Sequence, residues 1–464
     1  MTNIDELLYL IAGLCFIFSI KGLSSHKESK IGSWAGIIGM AISLLTCLFV
    51  NKFSNQTLAI TSILSGGVVG AVIATKIQMT SMPQLVAGFH SLVGLSAVLV
   101  AYGAYFSPEA LGIAVQGTIK TTSAIEMSIG AAIGAVTFTG SIIAYAKLEG
   151  LITSNIIKFR GQRIISLALL ILLISSLYLF INSQSLFYLN LLVFSSLALG
   201  ILLILPVGGA DMPVVVSMLN SYSGWAASGI GFTLNSKLLV ITGALVGASG
   251  AILSYIMCNA MNRSLFTVIF GAFMNNSMAS ESKLEDDRQV NKSSPEDAAF
   301  MLKNAANVII VPGYGMAVAQ AQHALKELVD ILQHAGIDVK FAIHPVAGRM
   351  PGHMNVLLAE ANIPYEIVLE LEDINRDFIS TDVAIVIGAN DVTNPAAKND
   401  KTSPIYGMPI LEVENSRNVF FIKRSMGKGY AGIENELFYK PNTHMLFGDA
   451  KKVVDEIVKS IKEL

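Results

Sequence analysis

The chain has 464 residues, of which 53% are hydrophobic and only 14% are charged, whereas roughly a quarter of the residues in soluble domains are charged. This composition excludes an ordinary soluble protein, and a net charge of −2 offers no basic surface for nucleic acid. Cys15, Cys47 and Cys258 all lie in apolar runs, so the sequence predicts neither a disulfide framework nor a metal site.

Charge is distributed unevenly along the chain. Residues 1–270 carry 12 Lys and Arg and 7 Asp and Glu, and residues 271–464 carry the other 19 and 26. We therefore predict a transmembrane domain at 1–262, a linker or hinge at 263–297, and a water-exposed domain at 298–464.

Nine apolar runs in the first part reach the length of about 20 residues that a membrane helix needs. They lie at about 5–21, 31–50, 56–75, 83–105, 123–146, 163–182, 186–206, 212–232 and 237–258. With the N-terminus outside, nine basic residues fall at inner ends and loops and three at outer ones. This bias predicts an N-terminus outside and a C-terminal domain in the cytoplasm.

Polar side chains are rare inside these runs, and such residues are functional candidates by default. His90 and Asn220 are two of them. Met82-Pro83 and Met212-Pro213 open two runs at an offset of 130 residues, and His90 matches Asn220 at that offset. Both side chains should therefore lie at one depth, although a core histidine and a structural helix-to-helix hydrogen bond are the alternatives.

Strands and helices alternate after residue 298. Strands are predicted at Asn307 to Val311, Asp338 to Ile343, Val383 to Ile387, Val419 to Ile422 and Met445 to Phe447, and helices at Met316 to His334, Met354 to Ala361 and Ala450 to Lys462. Apolar strands alternating with helices predict a parallel sheet covered on both faces. The fold class is thus a multi-span α-helical membrane domain of about nine helices, followed by an α/β Rossmann-like domain.

The first strand runs into Gly313-Tyr314-Gly315 and then a helix. Two glycines there permit a tight turn and close approach to a pyrophosphate held at the helix N-terminus. Val318 stands where the usual fingerprint has its third glycine.

The second strand ends in Ile343-His344-Pro345, without the acid that usually binds the ribose of NAD. Lys423-Arg424-Ser425 follows a later strand, and this cluster suits a 2′-phosphate. The pattern favours NADP over NAD, and a solvated basic pair is the alternative.

Two further loops leave strand ends of the same sheet, where ligands bind. One contains Val346, Ala347, Gly348, Arg349, Met350, Pro351 and Gly352, and the other contains Gly388, Ala389, Asn390 and Asp391.

These motifs, together with Gly429-Tyr430 and Gly448-Asp449-Ala450-Lys451, resemble the β subunit of proton-translocating NAD(P) transhydrogenase along essentially the whole chain. The resemblance implies NADP(H) bound here, NAD(H) bound by a partner α subunit that adds membrane helices, and direct hydride transfer without a metal. It further implies a dimer of αβ units in a bacterial inner membrane, inward proton movement and Tyr430 in a loop closing over the nucleotide.

The resemblance also assigns residues to roles. The proton pathway and coupling fall on His90, Asp211 and Asn220, with Asp391 as a further functional carboxylate. The cofactor-binding residues are Gly313, Tyr314, Gly315, Val346, Ala347, Gly348, Arg349, Met350, Pro351, Gly388, Ala389, Asn390, Asp391, Val392, Gly407, Met408, Lys423, Arg424, Ser425, Gly429, Tyr430, Asp449 and Ala450. The chain departs from the family at Asp391-Val392-Thr393, where Asp-Thr is common.

Two other classes of protein remain open. A transporter or channel with a nucleotide-sensing domain would need a substrate pathway, and it would keep an acid at the end of the second strand. A membrane oxidoreductase that passes electrons from NADPH to quinone would need flavin, haem or iron–sulfur ligands, and the sequence has neither paired histidines within spans nor clustered cysteines.

Overall fold

The computed structural model describes residues 3–23, 29–50, 55–115, 117–153, 156–265, 268, 289–350, 352–403, 405–429 and 431–464. The chain divides into two compact units. The first comprises Met1–Tyr145, Phe159–Ile204 and Met218–Ala251, and the second comprises Ala146–Lys158, Leu205–Ser217 and Ile252–Leu464.

Nine long helices occupy the described residues before residue 265. They are α1 (Asn3–Leu23), α2 (Ser29–Val50), α3 (Gln56–Lys76), α4 (Met82–Phe106), α5 (Thr121–Glu149), α6 (Gln162–Ser183), α7 (Leu186–Ile204), α8 (Met212–Thr233) and α9 (Lys237–Ala260). A two-stranded hairpin, β1 (Ala114–Val115) and β2 (Thr118–Ile119), joins α4 to α5. The predicted multi-span helical part is confirmed.

Seven of these helices, within the described ranges, are long and apolar enough to cross a membrane. This number is two below the predicted nine. The other two are α1, which carries charged residues near both ends, and α8, which is rich in serine and glycine.

Small residues let helices of the first unit cross at close range. A Cβ atom added to Gly94 of α4 would lie 2.5 Å from the carbonyl oxygen of Gly134 in α5. One added to Gly224 of α8 would lie 2.3 Å from the amide nitrogen of Gly247 in α9. The glycine-rich helices therefore face one another, as small residues in membrane helices predict.

Helices α4 and α8 begin in the same way. The 3-10 turn Met79–Ser81 precedes α4, and the 3-10 turn Gly209–Asp211 precedes α8. Each helix then starts on Met-Pro, and a proline in the first turn removes no intrahelical hydrogen bond. The similarity at an offset of 130 residues thus extends from the sequence to the local structure.

Six parallel strands form the sheet of the second unit, in the order β5-β4-β3-β6-β7-β8. They are β3 (Asn307–Pro312), β4 (Asp338–Ile343), β5 (Val368–Glu370), β6 (Val383–Ile387), β7 (Asn418–Lys423) and β8 (Thr443–Phe447). The chain proceeds outward from β3 in both directions. The carboxyl ends of β3 and β6 therefore flank the switch point at which such sheets bind ligands, and the predicted Rossmann-like sheet is confirmed.

From residue 289 onward, the described residues form the helices Pro295–Lys303, Tyr314–Val318, Gln322–His334, His353–Glu360, Leu371–Ile374, Ala396–Asn399 and Ala450–Glu463. The prediction of one helix from Met316 to His334 is wrong. Gln320 adopts a left-handed backbone with φ of 52°, which ends the first helix and lets a second begin at Gln322.

Alternate residues of β3 enter two hydrophobic clusters, one on each face of the sheet. Val308 and Ile310 pack with residues of Gln322–His334 and Ala450–Glu463. Ile309 and Val311 pack in the cluster of the opposite face, which includes Phe378. Both faces are thus covered, as expected of a parallel sheet.

Only part of the predicted linker lies in the described residues, since residues 269–288 fall outside them. Asn291 and Ser293 exchange backbone hydrogen bonds with Met445 of β8. Ser294 then caps the helix Pro295–Lys303 through a reciprocal bond with Asp297. The domain limits at 262 and 297 stay a prediction.

Candidate nucleotide site

The glycine loop after β3 lies against the loop after β6. The amide of Gly313 donates to the carbonyl of Ile387 and that of Gly315 to Gly388, each at 2.9 Å. A Cβ atom would lie 2.5 Å from the Cα of Ala389 if added to Gly313, and 2.6 Å from the Cα of Gly388 if added to Gly315. Only glycine fits at these two positions, so the sequence determines this close backbone approach.

A cavity of about 580 Å³ opens at this edge of the sheet, and its size is that of a small-molecule or cofactor site. The following predicted residues line it: Gly313, Tyr314, Gly315, Val346, Ala347, Gly348, Gly388, Ala389, Asn390, Asp391, Val392, Met408, Lys423, Arg424, Ser425, Gly429 and Ala450.

Some predicted residues lie near the cavity without lining it, namely Arg349, Met350, Gly407 and Asp449. Pro351 and Tyr430 lie outside the described residues. The roles of all these residues in binding stay predictions.

The basic end of the cavity is formed where β7 ends. The ammonium of Lys423 lies 4.5 Å from the centre of the Phe438 ring and also donates to the carbonyl of Gly427. Burial lowers the pKa of Lys423. Arg424 forms an ion pair with Asp449 at 2.9 Å, and Asp449 also accepts from the amide of Lys451 at the start of the last helix. This pair fixes the direction of the Arg424 guanidinium.

Burial is the largest single influence on the pKa of Asp449 and raises it, but the bond and charge of Arg424 and the helix amides together outweigh it, so the net shift is downward. The carboxylate therefore remains charged beside Arg424 at neutral pH.

No carboxylate follows β4. His344 stands there, buried, with its Nε2 bonded to the carbonyl of Pro409 at 2.8 Å and its Nδ1 accepting from the amide of Val346 at 3.2 Å. Burial lowers its pKa to about 4, although the bond to Pro409 acts in the opposite direction. His344 is thus a neutral side chain that fixes the start of the loop at 346–350.

The loop after β6 is held by residues much later in the chain. A carboxylate oxygen of Asp391 accepts from the amide of Ala431 at 2.9 Å. Asn435 is buried and donates to both the backbone and side-chain oxygens of Asn390, each at 3.1 Å. Thr393 donates its hydroxyl to the carbonyl of Asn390 at 3.0 Å. Asn390 and Asp391 are thereby fixed at the cavity wall.

Arg349 lies over one face of Tyr314, with 4.1 Å between its guanidinium carbon and the ring centre. The guanidinium also donates to the carbonyl of Leu148 at 2.5 Å. Burial raises the pKa of Tyr314, and the Arg349 charge partly offsets this. Arg349 therefore stabilises the glycine loop by its contact with Tyr314, from a position outside the cavity.

Asp211 forms an ion pair with Arg263, whose guanidinium reaches both carboxylate oxygens at 2.7 and 2.8 Å. Burial raises the pKa of Asp211, and Arg263 opposes this effect. Gly209, Met261 and Arg263 also line the cavity. Asp211 is thus connected to the cavity wall through its partner.

His90 and Asn220 belong to the first unit, on α4 and α8 respectively. The Nε2 of His90 is buried and has no hydrogen-bond partner among the described residues. Neither residue lines the nucleotide cavity, and their proton role stays a prediction.

Sequence reasoning missed several residues of this site. Those that line the cavity are Gly209, Met261, Arg263, Ile405, Ile422, Gly427, Lys428 and Ala431, and Asn435 acts behind it. Val318 and Gly448 also line the cavity; the sequence motifs contained them without giving them a binding role. Gly427 and Lys428 adjoin predicted residues, so the motif could have been extended to them. Nothing local in the sequence indicated Arg263 or Asn435. No cluster of metal-ligating side chains occurs in the parts of the chain that the structure describes.

Comparisons with known proteins agree with this geometry. The family model described as NAD(P) transhydrogenase beta subunit matches residues 5–460. The chain belongs to this family. It is 58% identical over 454 residues to the NAD(P) transhydrogenase subunit beta of Rhodospirillum rubrum, with 98% of each chain covered. A second protein of that name from a strain of the same organism matches equally well.

Family membership confirms the resemblance drawn from the motifs. A transhydrogenase beta subunit is a membrane protein, which agrees with the seven membrane-helix candidates found in the described ranges. The family also implies that NADP(H) binds and that an α subunit is the partner.

Proposed function

We propose that this chain takes hydride directly from NADH, held by the partner α subunit, onto its own NADP⁺, and that inward proton movement drives the formation of NADPH. The observation that carries the proposal is the cavity at the carboxyl ends of β3 and β6. It has the two-glycine turn of Gly313 and Gly315 at one side and Lys423, Arg424 and Ser425 at the other.

The lining fits a phosphorylated dinucleotide. The glycines allow backbone approach to a pyrophosphate, and the basic residues supply charge-assisted bonds for a 2′-phosphate. His344, a neutral side chain, stands where an NAD site would have an acid. NADP(H), when bound, supplies the carbon that accepts or gives the hydride, while Asn390 and Asp391 help to orient it.

Proton flow must supply the bias, because hydride exchange between two nicotinamides is nearly isoenergetic. One charge that crosses 100 mV provides about 2.3 kcal/mol, or roughly 50-fold in the product ratio. We assign proton uptake to His90 and Asn220, and the relay to Asp211. Protonation would shift the NADP domain between a tight and an open state, since coupling requires two states that both sites bias.

The assembly that this function requires is a dimer of αβ units in the bacterial inner membrane. The N-terminus would face the periplasm and the C-terminal domain the cytoplasm. The membrane domain would end at residue 262 and the NADP(H) domain would begin at residue 298, with the linker between them.

Nucleotide preference tests the basic cluster. The double variant Lys423→Ala/Arg424→Ala should raise the Kd for NADPH by about 10- to 150-fold, since hydrogen bonds to charged groups contribute about 1.5–3 kcal/mol, and should change that for NADH far less. Lys452→Ala/Lys459→Ala, at two exposed positions of the last helix outside the cavity, removes the same charge and should have little effect. Equal losses for both nucleotides would reject the 2′-phosphate role.

Coupling is tested in sealed vesicles that contain the chain and its α partner, by measuring hydride exchange with and without an uncoupler. The parent should respond to the uncoupler, and His90→Ala should lose proton pumping while it keeps NADPH binding. His323→Ala, at an exposed position, is the matched control. A variant at His90 that pumps but does not bind NADPH would overturn the assignment. A parent whose exchange ignores the imposed pH difference would favour a nucleotide-sensing transporter instead.

A further inference from the structure

His353 is a buried histidine beside the nucleotide cavity that the proposed function does not use. It is the first residue of the helix His353–Glu360 and is fully inaccessible to solvent. Gly352, just before it, has a left-handed backbone with φ of 67°. The sharp backbone turn at Gly352 therefore places the imidazole of His353 behind the loop at 346–350.

One nitrogen of this imidazole has a defined partner. Nδ1 lies 3.1 Å from the amide nitrogen of Arg349. Because a backbone amide can only donate, Nδ1 must be the unprotonated nitrogen and the proton lies on Nε2. Burial, and then the charge of Arg349, lower the pKa of His353 to about 4, so this neutral form persists at cytoplasmic pH.

The other nitrogen, Nε2, is buried and has no hydrogen-bond partner in the described part of the chain. A buried donor without a partner costs about 1–3 kcal/mol, and a phenyl ring would fill a similar space without that cost. Packing alone therefore does not explain why this position is a histidine. The hydrogen bond that Nδ1 accepts from the Arg349 amide does explain it.

The Gly348–Arg349 turn packs so closely against His353 that a side chain at residue 348 would not fit. Gly348 has φ of 105°, and a Cβ atom there would lie 2.7 Å from the Cβ and 2.8 Å from the Nδ1 of His353. On its other side the imidazole faces Tyr314, with 6.1 Å between the ring centres. Ala347, Gly348 and Tyr314 all line the cavity, so His353 touches both of the loops that shape one wall.

We infer that His353 is a positioning residue of the nucleotide site, in which a single acceptor nitrogen keeps the Gly348–Arg349 turn in register with the glycine loop. This inference rests on the proposed function, since it concerns the site assigned to NADP(H). His353 contacts the loops that line the cavity and acts through them.

Two substitutions separate positioning from packing. In His353→Asn the amide oxygen can occupy the place of Nδ1 and still accept from Arg349. In His353→Gln the amide lies one bond farther out and that acceptor is lost, although more of the side-chain volume is kept. Packing alone thus predicts that Asn is the worse variant, and positioning predicts that Gln is worse for nucleotide binding.

The Kd for NADPH is measured by calorimetry on the full chain in lipid nanodiscs, with the thermal midpoint recorded in parallel. We expect His353→Gln to raise the Kd by about tenfold, as the loss of one hydrogen bond predicts, and His353→Asn to stay within about threefold of the parent even if its midpoint is lower. A Gln variant that binds like the parent, or an Asn variant as weak as Gln, would overturn the inference alone. A parent chain that does not bind NADPH would reject the proposed function, and this inference with it.

Discussion

The guanidinium of Arg263 donates hydrogen bonds to both carboxylate oxygens of Asp211, at 2.7 and 2.8 Å. Asp211 ends the turn before α8, and Arg263 follows α9. The pair therefore ties together two segments that are distant in sequence, and Arg263 lines the nucleotide cavity. A partly buried pair of this kind is sensitive to the loss of either partner, because the remaining charge is costly.

Arg263→Ala should make stability depend more strongly on pH. Burial already raises the pKa of Asp211 and Arg263 holds it down, so the pKa rises further without Arg263. A raised folded-state pKa gives stability that is present at low pH and is lost as the pH rises through it. We expect the thermal midpoint of this variant, relative to that of the parent at the same pH, to decline as the pH rises above 3.8, the ordinary pKa of an aspartate.

The double variant Asp211→Asn/Arg263→Ala is the control for this effect. It should lose the added pH dependence, because the group that titrates is gone. If the double variant keeps the same slope as Arg263→Ala, another residue is responsible.

Gly94→Ala should disrupt the crossing of α4 and α5. The new methyl group would lie 2.5 Å from the carbonyl oxygen of Gly134 and 2.6 Å from the amide nitrogen of Phe138, and backbone cannot yield as a side chain can. Overpacking of this kind costs about 1–3 kcal/mol, and we expect a lower thermal midpoint in nanodiscs together with weaker proton pumping.

Gly88→Ala is a matched control on the same helix, because a Cβ there meets no described atom within 4 Å. Equal midpoints for the two variants would argue against the close crossing.

Lys147→Met should destabilise the end of α7. The Lys147 side chain is buried, and its ammonium donates to the carbonyls of Leu205 at 2.6 Å and Val207 at 2.7 Å. Methionine fills a similar volume but leaves both carbonyls without this donor, at a cost of about 1–3 kcal/mol each. The measurement is the thermal midpoint, which should be lower than that of the parent.

The control is Lys76→Met, at an exposed lysine in the last turn of α3. Its thermal midpoint should equal that of the parent, and a similar drop in both variants would point to a general effect of charge loss.

Local pattern was sufficient for much of the nucleotide domain. The strands Asp338–Ile343 and Val383–Ile387 were predicted to the residue. Val383–Ile387 is a continuous apolar run, and Asp338–Ile343 is mostly apolar and ends at His344-Pro345. The glycine loop was also predicted, since Gly313 and Gly315 form a short motif. Strand β5 was not predicted, because its three residues are too few to carry a pattern.

The contacts that complete the site could not be predicted in the same way. Asn435 supports Asn390 across 45 positions, and Arg263 reaches Asp211 across 52. Hydrophobic periodicity describes which face of an element is buried and contains no information on such pairs. The first pair follows from the strand order, which brings the ends of β3, β6 and β7 to one edge. The second lies outside the sheet and follows from the packing of the segments before α8 and after α9.

Acid should destabilise the folded chain in a defined pH window, through His344. Burial lowers the pKa of this histidine from 6.5 to about 4, so the unfolded chain takes up a proton first as the pH falls. A lowered folded-state pKa gives stability that is present above the unfolded pKa and is lost between about 6.5 and about 4. The contribution of His344 to the thermal midpoint should therefore be constant above about pH 7 and should fall below it. His344→Gln should reduce this fall, although His353, with a similarly lowered pKa, would retain part of it. His323→Gln, at an exposed position, should not alter the slope. A profile of His344→Gln that matches the parent would exclude His344 as the titrating group.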